Sequence, residues 1–310
     1  MNQQLGKSFL LVLTATIWGL AFVAQSVGMD HVGPITFTAS RSILAAIALF
    51  FLAGVFDRFE RPVKGATKKS FTERWKVKRL WVSGFLCGAF LLTGTLFQQY
   101  GLLFTTVGKA SFVTSLYIVL VPMIGLLIGR KPTRFAILAL PFALIGLFFL
   151  CVKEESLALN PGDILMFFGA LAFTGHILTI DRVSNGVDAV RMSAVQFLFC
   201  SVVGSVAAFT FEEVYLRDII DAAAPILYAG FLSSAVGYTL QIVAQRGLNP
   251  TVASLLMSLE SVVGVLAGWL LLDQVLNARE IGGCVLMAVA IVLAQLPEDF
   301  FKRKEKSSSS

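Results

Sequence analysis

Long uninterrupted apolar runs are the feature that most constrains how this chain can fold. A helix that crosses the roughly 30 Å hydrocarbon core of a bilayer needs about 20 apolar residues. Breaker residues such as Gly33-Pro34 and Asn249-Pro250 fall between these runs. The ten predicted spans are 8–28, 35–56, 80–104, 109–129, 135–151, 162–180, 191–211, 223–244, 251–272 and 280–296. The sequence therefore predicts an all-α integral membrane protein with ten transmembrane helices.

Composition supports this class and excludes others. Apolar residues make up 56% of the 310 residues and charged residues only 14%, whereas soluble proteins are typically about one-quarter charged. A soluble enzyme and a disordered chain are therefore excluded. The four cysteines lack paired short spacings and there are only two histidines, so we expect no disulfide framework, no metal centre and no cofactor.

The placement of Lys and Arg predicts the orientation of the helices. If the N-terminus is cytoplasmic, twenty of the 25 Lys and Arg residues lie on the cytoplasmic side, and Arg41 lies inside a span. We therefore expect both termini in the cytoplasm. We also expect the first span to be retained as a transmembrane helix rather than removed as a signal peptide. The net charge of +6 then reflects topology, so we expect no nucleic-acid partner. Residues 299–310 are predicted to form a disordered cytoplasmic tail.

A weak internal repeat relates the two halves of the chain. A shift of 143 positions superposes the third and fourth spans on the eighth and ninth, with nine identities over the 34 positions of 94–127. The shift pairs Gln98 with Gln241 and Tyr117 with Glu260. Convergent packing of small residues is the alternative explanation. A true repeat of five helices must be inverted, as in many secondary transporters, and predicts repeats at 1–153 and 154–298.

Several short motifs resemble one transporter family. Residues 18–23 (WGLAFV) are similar to W-G-x-x-F-V, and a P-x-x-F-x-x-x-R pattern begins at Pro34. Residues 258–262 (SLESV) and 268–273 (GWLLLD) are close to L-E-P-V followed by G-W-L-L-L-G-E, and Gly282-Gly283 opens the tenth span. In order and spacing, these motifs resemble the ten-helix, EamA-type transporters of the drug/metabolite transporter superfamily.

That resemblance covers about residues 8–296 and implies a bacterial inner-membrane exporter with a central cavity between inverted halves. It does not name the substrate, because the family handles amino acids, other metabolites and toxic compounds. The chain departs from the family pattern at three places. Ser261 replaces the usual Pro, Asp273 replaces the usual Glu, and Arg130 stands where a Gly-Glu pair is common.

Two charged residues lie well inside predicted spans. Glu260 is nine residues into its helix, roughly 13–14 Å deep and near the midplane. A carboxyl at that depth costs about 2.5–3.5 kcal/mol on insertion scales, so it needs a compensating role. Glu260 is either a proton acceptor or amine-binding group, or a hydrogen-bonded tie between helices. Arg41 is only about six residues from the outer surface and could reach the lipid headgroups, so we expect a structural or lipid-facing role rather than a gating pair.

Uncharged polar and aromatic residues complete the prediction. Trp18 lies in the middle of its span and either lines the cavity or packs against neighbouring helices. Deep Gln, Tyr and Ser side chains either line a polar path or bond another helix. His176 is predicted to be partnered near the cytoplasmic end of its span, with a proton relay as the alternative. The candidate substrate-binding or coupling residues are Glu260, Trp18, Gln98, Tyr117, Tyr238, Gln241, Ser115 and Ser258.

The predicted function is secondary active export of small organic metabolites, such as amino acids or related amphipathic compounds, by alternating access. Proton coupling through Glu260 is left open. No nucleotide-binding P-loop motif occurs in the sequence. A membrane-embedded enzyme acting on lipid or peptide is the alternative, but it needs paired acids, a metal or an activated nucleophile. We expect a small-molecule substrate, the lipid bilayer and, if coupling holds, protons as partners, with the protein a monomer or homodimer.

Overall fold

A computed structural model describes residues 2–59, 70–105, 107–151, 160–271 and 277–296. These residues form helices and contain no strand. The helices are α1 (Asn2–Gly28), α2 (Pro34–Phe59), α3 (Phe71–Trp75), α4 (Lys78–Leu102), α5 (Val107–Ser115), α6 (Tyr117–Leu127), α7 (Arg134–Cys151), α8 (Pro161–Val183), α9 (Ala189–Phe211), α10 (Leu216–Asp221), α11 (Ala223–Leu227), a π-helical segment (Tyr228–Gly237), α12 (Tyr238–Gln245), α13 (Pro250–Met257), α14 (Leu259–Leu271) and α15 (Ala278–Ala294). The predicted tail at 299–310, Asp273 and the predicted repeat boundary at 153/154 lie outside the described residues.

Each of the ten predicted spans coincides with one of these helices or with a group of them. Eight are long and apolar enough to cross a bilayer, which supports a multi-pass membrane protein. The other two are α7, whose apolar part is the shorter range Arg134–Phe149, and α15, which has 17 residues. For these two helices, membrane crossing remains a prediction.

Helix starts follow the local sequence. Asn160 accepts a hydrogen bond from the backbone N–H of Asp163, whose carboxylate returns a bond to the Asn160 backbone, and Pro161 opens α8. Asn249 accepts from the Thr251 N–H at the start of α13. Such caps satisfy N–H groups that an isolated helix end leaves unpaired. The breaker residues between predicted spans therefore do begin helices.

Helix packing follows a two-fold pattern. The most extensive contacts join α2 to α9 and α7 to α15, which are matching helices of the two predicted repeats. Contacts between α4 and α8 have counterparts between α1 and the α11–π–α12 group, and those of α1 with α14 correspond to those of α8 with α5 and α6. Each of these interfaces therefore has a counterpart formed by the matching helices of the other half. This is the pattern that a pseudo-two-fold axis between two five-helix halves produces.

The α2–α9 pair is fixed at both ends by carboxylates in matching positions. Glu212, at the end of α9, accepts hydrogen bonds from the backbone N–H groups of Ile35 and Thr36 at 2.9 and 2.8 Å. At the other end Asp57 forms an ion pair with Arg191 near the start of α9. Asp57 and Glu212 stand 155 positions apart. The two ends of this pair are therefore joined in a similar way, although the sequence assigned these residues no role.

Two predicted spans are each divided into two helices. The span 109–129 is interrupted at Leu116, between α5 and α6, and the span 251–272 at Ser258, between α13 and α14. Both interruptions contain tight i→i+3 hydrogen bonds, from Val119 N–H to Leu116 O at 3.0 Å and from Ser261 N–H to Ser258 O at 3.2 Å. Leu116 and Ser258 are 142 positions apart, one fewer than the 143-residue shift that relates the two spans. Each divided segment still forms one apolar span long enough to cross a bilayer, and hydropathy alone does not register such turns.

The eighth span contains a local change of helix type. Ten residues, Tyr228–Gly237, adopt a π-helix between α11 and α12. A π-helix is rare and is frequently found at functional sites, since it shifts backbone carbonyls away from their normal partners. Here the Ser233 carbonyl accepts a hydrogen bond from the Trp18 indole at 3.1 Å, and the Tyr228 hydroxyl donates to the Ile17 carbonyl at 2.9 Å. The segment therefore fixes α1 against the eighth span.

Candidate functional site

A central cavity lies between helices of both halves, namely α1, α2, α4, α8, the π-helical segment, α12 and the two divided helices. About 490 Å³ of space lies between its walls, including the part open to its surroundings. The lining residues are Trp18, Ala21, Phe22, Gln25, Arg41, Gln98, Thr114, Tyr117, Phe173, His176, Ile177, Ser233, Tyr238, Gln241, Met257 and Glu260. Six of the eight predicted site residues line this cavity. Ser115 and Ser258 are the other two, and they do not.

Glu260 and Tyr117 form the contact at the seam between the halves. The Tyr117 hydroxyl donates a hydrogen bond to Glu260 Oε1 at 3.0 Å. Both side chains are buried, and each lies one or two residues after the interruption of its divided helix. The sequence shift that paired these positions thus identified two residues in direct contact. Glu260 forms no ion pair with any residue that the structure describes, so its carboxylate is held by Tyr117 and faces the cavity.

A cluster of serines lies behind this pair. The Ser115 hydroxyl is 2.9 Å from the Ser261 hydroxyl, and Ser111 also hydrogen-bonds to Ser261. Ser258 bonds within its own helix, to the Leu255 carbonyl at 2.8 Å. Ser115 and Ser258 therefore support the interrupted helices, and Ser261, which stands in place of the family's Pro, ties α14 to α5.

Arg41 occupies a different place from the one expected. Its side chain is buried with 3% of its surface exposed, and it lines the cavity. Nε donates to Ser234 Oγ at 3.0 Å and NH1 donates to Gln25 Oε1 at 3.2 Å. Arg41 makes no ion pair with a carboxylate of the described residues. The lipid-facing part of the expectation was wrong, because depth along a helix does not reveal which face a residue occupies.

A second polar pair lies on the opposite half. His176 is fully buried, lines the cavity, and places Nε2 3.2 Å from Gln196 Oε1. The structure thus brings His176, which the sequence located near the cytoplasmic end of its span, into the cavity wall. Arg41 and Gln196 stand 155 positions apart. Matching positions on α2 and α9 therefore carry a cation in one half and an amide in the other.

The glutamines supply uncharged hydrogen-bonding groups to the same wall. Gln98 donates to Thr114 Oγ1 at 3.3 Å, and Gln241 donates to Gln245 Oε1 at 3.4 Å. The carbonyl oxygen of the Gln241 side chain is buried and accepts no hydrogen bond within the described structure. An unpaired buried acceptor is costly, so a donor group on a bound molecule would be stabilised there.

Aromatic rings close the rest of the cavity. The Trp18 and Tyr238 rings have centroids 4.6 Å apart, and Tyr238 also contacts His176 at 5.7 Å. Trp18 and Phe173 stand 155 positions apart and both line the cavity. Each ring packs over a glycine backbone, because a Cβ at Gly237 would lie 2.7 Å from Trp18 Nε1 and one at Gly94 would lie 2.9 Å from Phe173 Cε1. Trp18 is thus part of the wall, and its counterpart Phe173 was not predicted.

A 155-residue shift would have revealed Phe173 and the Arg41–Gln196 correspondence. The 143-residue shift covers only the third, fourth, eighth and ninth spans. The loops of the two halves differ in length, so different helix pairs need different shifts. As for metals, the described residues hold no group of three or more His, Cys, Asp or Glu side chains placed to bind an ion.

Comparisons with known proteins find one matching family, two relatives and a solved structure of the same fold. The EamA-like transporter family matches the chain twice, over residues 6–152 and 160–296. An "uncharacterized transporter" of Archaeoglobus fulgidus is 27% identical over 92% of this chain and 84% of its own length. The uncharacterized transporter YoaV of Bacillus subtilis is 24% identical, over 93% of this chain and 96% of its own. One solved crystal structure, 16% identical, has the same fold, with a TM-score of 0.73 over 95% of this chain and 96% of that one.

Proposed function

Since this chain belongs to the EamA-like transporter family, we propose that it is a secondary transporter that exports small amphipathic solutes with both an amine and a carboxylate, such as amino acids. Export would proceed by alternating access between the two five-helix halves. The observation that carries this proposal is a single cavity containing one buried guanidinium and one buried carboxylate that do not pair with each other.

Unpaired opposite charges in one cavity favour a zwitterionic ligand. A charge at membrane depth is costly unless a partner balances it. Arg41 uses two of its donors on Ser234 and Gln25, and a guanidinium carries five N–H donors, so it retains donors for a carboxylate. Glu260 receives one hydrogen bond, from Tyr117, and retains acceptor capacity for an ammonium group. A ligand carrying both charges would satisfy both groups at once.

The remaining walls favour an apolar side chain on that ligand. Trp18, Phe22, Phe173 and Met257 present rings and a thioether to the cavity, and burial of apolar surface is the main favourable contribution of such walls. The free acceptor of Gln241 adds a further partner for the ligand's N–H groups. An amino acid of moderate size with an apolar side chain meets these three requirements.

Proton coupling would act at the Glu260–Tyr117 contact. A proton on Glu260 neutralises the group that would hold the ammonium, so a proton and an amine would compete for the same oxygen atoms. Competition of this kind is the simplest coupling for proton–amine antiport. The contact lies where the two divided helices meet, so a change in charge there would act on both halves.

The proposal includes a location and an orientation. We place the protein in a bacterial inner membrane. Both termini lie in the cytoplasm in this proposal, because twenty of the 25 Lys and Arg residues then lie on the cytoplasmic side. Repeat boundaries near 153/154, and a monomer or homodimer as the working unit, also belong to this proposal. The enzyme alternative receives no support from the cavity, and both curated relatives are named transporters.

Transport by purified protein in liposomes tests the proposal. We expect neutral amino acids to move faster when a pH gradient is imposed. Glu260→Gln should lose that acceleration while keeping slow exchange without a gradient. Glu280→Gln is the matched control, since this carboxylate caps the start of α15 and does not line the cavity. Gradient-driven transport that is unchanged in Glu260→Gln would contradict the coupling, and turnover of lipid or peptide without transport would contradict the function.

A further inference from the structure

A second, apolar groove lies on the outer surface of the bundle, away from the central cavity. It is formed by α2, α4 and α9 under the short helix α3, and encloses about 1050 Å³ of space, including the part open to its surroundings. The lining residues are Ala46, Ile47, Phe50, Phe51, Phe71, Thr72, Trp75, Trp81, Ala194 and Leu198. None of them lines the central cavity, and the transport cycle proposed above does not use them.

The depth of the groove matches one leaflet. Phe51 and Ala46 lie 8 and 13 residues before the end of α2 at Phe59, and Ala194 and Leu198 lie 5 and 9 residues after the start of α9. At 1.5 Å per residue the groove extends roughly 8–20 Å from these helix ends. Half of a bilayer core is about 15 Å thick. A groove of this depth fits an acyl chain of the same leaflet.

Helix α3 forms a polar edge at the end of the groove nearest the end of α2 and the start of α9. Ser70 and Glu73 cap this helix in a reciprocal pair, and its two aromatic residues, Phe71 and Trp75, both contact the Phe50 ring with centroids 5.4 and 5.6 Å away. The Trp75 backbone carbonyl accepts from the Trp81 indole at 2.7 Å. The helix is thereby held with its aromatic side over the groove.

Charge and an unpaired donor mark this edge as a headgroup site. Lys76, Lys78 and Arg79 lie in the chain between the two tryptophans of the wall, are exposed, and form no ion pair with any described residue. The Trp75 indole N–H is buried and donates no hydrogen bond within the described structure. A buried donor without a partner is costly, and an ester or phosphate oxygen at this edge would accept from it.

We propose that this groove binds one anionic phospholipid of the leaflet on the Lys- and Arg-rich side. An acyl chain lies between α2 and α9, and the phosphate lies against Lys76, Lys78 and Arg79. A cation near an anionic membrane surface strengthens binding by about fivefold, so three cations give a marked preference for an anionic over a zwitterionic headgroup. The lipid would hold α3 against the α2–α9 pair.

Tryptophan quenching by brominated lipids tests this site in the full-length protein. Trp75 and Trp81 report on the groove, and Trp75→Phe and Trp81→Phe assign the signal to it. We expect dibrominated phosphatidylglycerol to quench at mole fractions at least about fivefold lower than dibrominated phosphatidylcholine. Replacing Lys76, Lys78 and Arg79 together by Gln should remove that preference and leave the quenching by phosphatidylcholine unchanged.

A filling substitution separates the groove from the general lipid surface. Ile47→Phe narrows the groove and should weaken quenching by both lipids. Its matched control is Ile43→Phe, one turn away on α2, which is exposed but outside the groove. Equal quenching by the two lipids in wild-type protein would overturn the proposal. Weak quenching by both lipids, with a mass in detergent of two chains, would also overturn it, because a second copy would then cover the groove.

Discussion

The two halves of the molecule share a framework but differ in the chemistry that they bring to the cavity. The α2–α9 ends, the interruptions at Leu116 and Ser258, and the packing of a ring over a glycine recur in both halves. The groups at the cavity do not recur, since Arg41 corresponds to Gln196 and Tyr117 to Glu260. A symmetric framework suits movement between two equivalent conformations, whereas the unlike groups make the two sides of the cavity chemically different.

The third and eighth spans show the same contrast in their backbones. α4 is a regular helix over Lys78–Leu102, whereas its counterpart contains the π-helical segment Tyr228–Gly237. That segment places the Ser233 carbonyl against Trp18 and the Ser234 hydroxyl against Arg41. The second half thus changes its helix type where it must hold the aromatic wall and the buried cation. The asymmetry of the site is therefore built into the backbone as well as the side chains.

Making the α2 and α9 positions identical should have the largest effect. Arg41→Gln gives both halves the same residue and removes the only cation that lines the described cavity. Loss of a buried, hydrogen-bonded charge partner typically costs about 2–5 kcal/mol, so we expect amino acid binding to weaken by at least about 30-fold in calorimetry. Arg217→Gln is the control, because its side chain is 90% exposed. Unaltered binding to Arg41→Gln would show that this cation does not contact the ligand.

A methyl group at either ring–glycine contact should have an intermediate effect. Gly237→Ala displaces Trp18 and Gly94→Ala displaces Phe173, and overpacking of this kind costs about 1–3 kcal/mol. We expect both variants to unfold at lower temperature in a thermal assay, and Gly237→Ala also to weaken amino acid binding, since Trp18 lines the cavity and its ring contacts Tyr238. Gly282→Ala is the control, because nothing lies within 4 Å of its added methyl. Wild-type stability in Gly237→Ala would contradict the close packing.

Trp18→Phe should have the smallest effect, since it gives α1 the residue that its counterpart α8 already carries. The substitution removes the hydrogen bond to the Ser233 carbonyl but keeps an aromatic ring in the wall. One such bond contributes about 0.5–1.5 kcal/mol to folding stability, so we expect a small drop in the unfolding temperature and, since the aromatic wall is kept, a loss of binding below about tenfold in the same calorimetric assay. A loss as large as that of Arg41→Gln would mean that the indole itself holds the ligand.

The sequence predicted the helices better than the arrangement of their faces. Apolar runs located the helices, and the Asn-Pro pairs located the starts of α8 and α13, because length and capping are local properties. The 143-residue shift paired Tyr117 with Glu260, which proved to be in contact, since pseudo-equivalent residues near a two-fold axis approach each other. The face occupied by Arg41 and the π-helical segment depend on neighbouring helices, so no local pattern revealed them. Ser115 and Ser258 share the composition of the cavity wall, but they pack behind it.

Binding of matched analogues is the most direct test of the two unlike groups. Leucine, isoamylamine, which lacks the carboxylate, and isocaproate, which lacks the amine, can be titrated into wild-type protein, Arg41→Gln and Glu260→Gln. We expect wild-type protein to prefer leucine over both analogues, Arg41→Gln to lose its preference over isoamylamine, and Glu260→Gln to lose its preference over isocaproate. If both variants keep the wild-type order of preference, Arg41 and Glu260 do not recognise the two ends of one ligand.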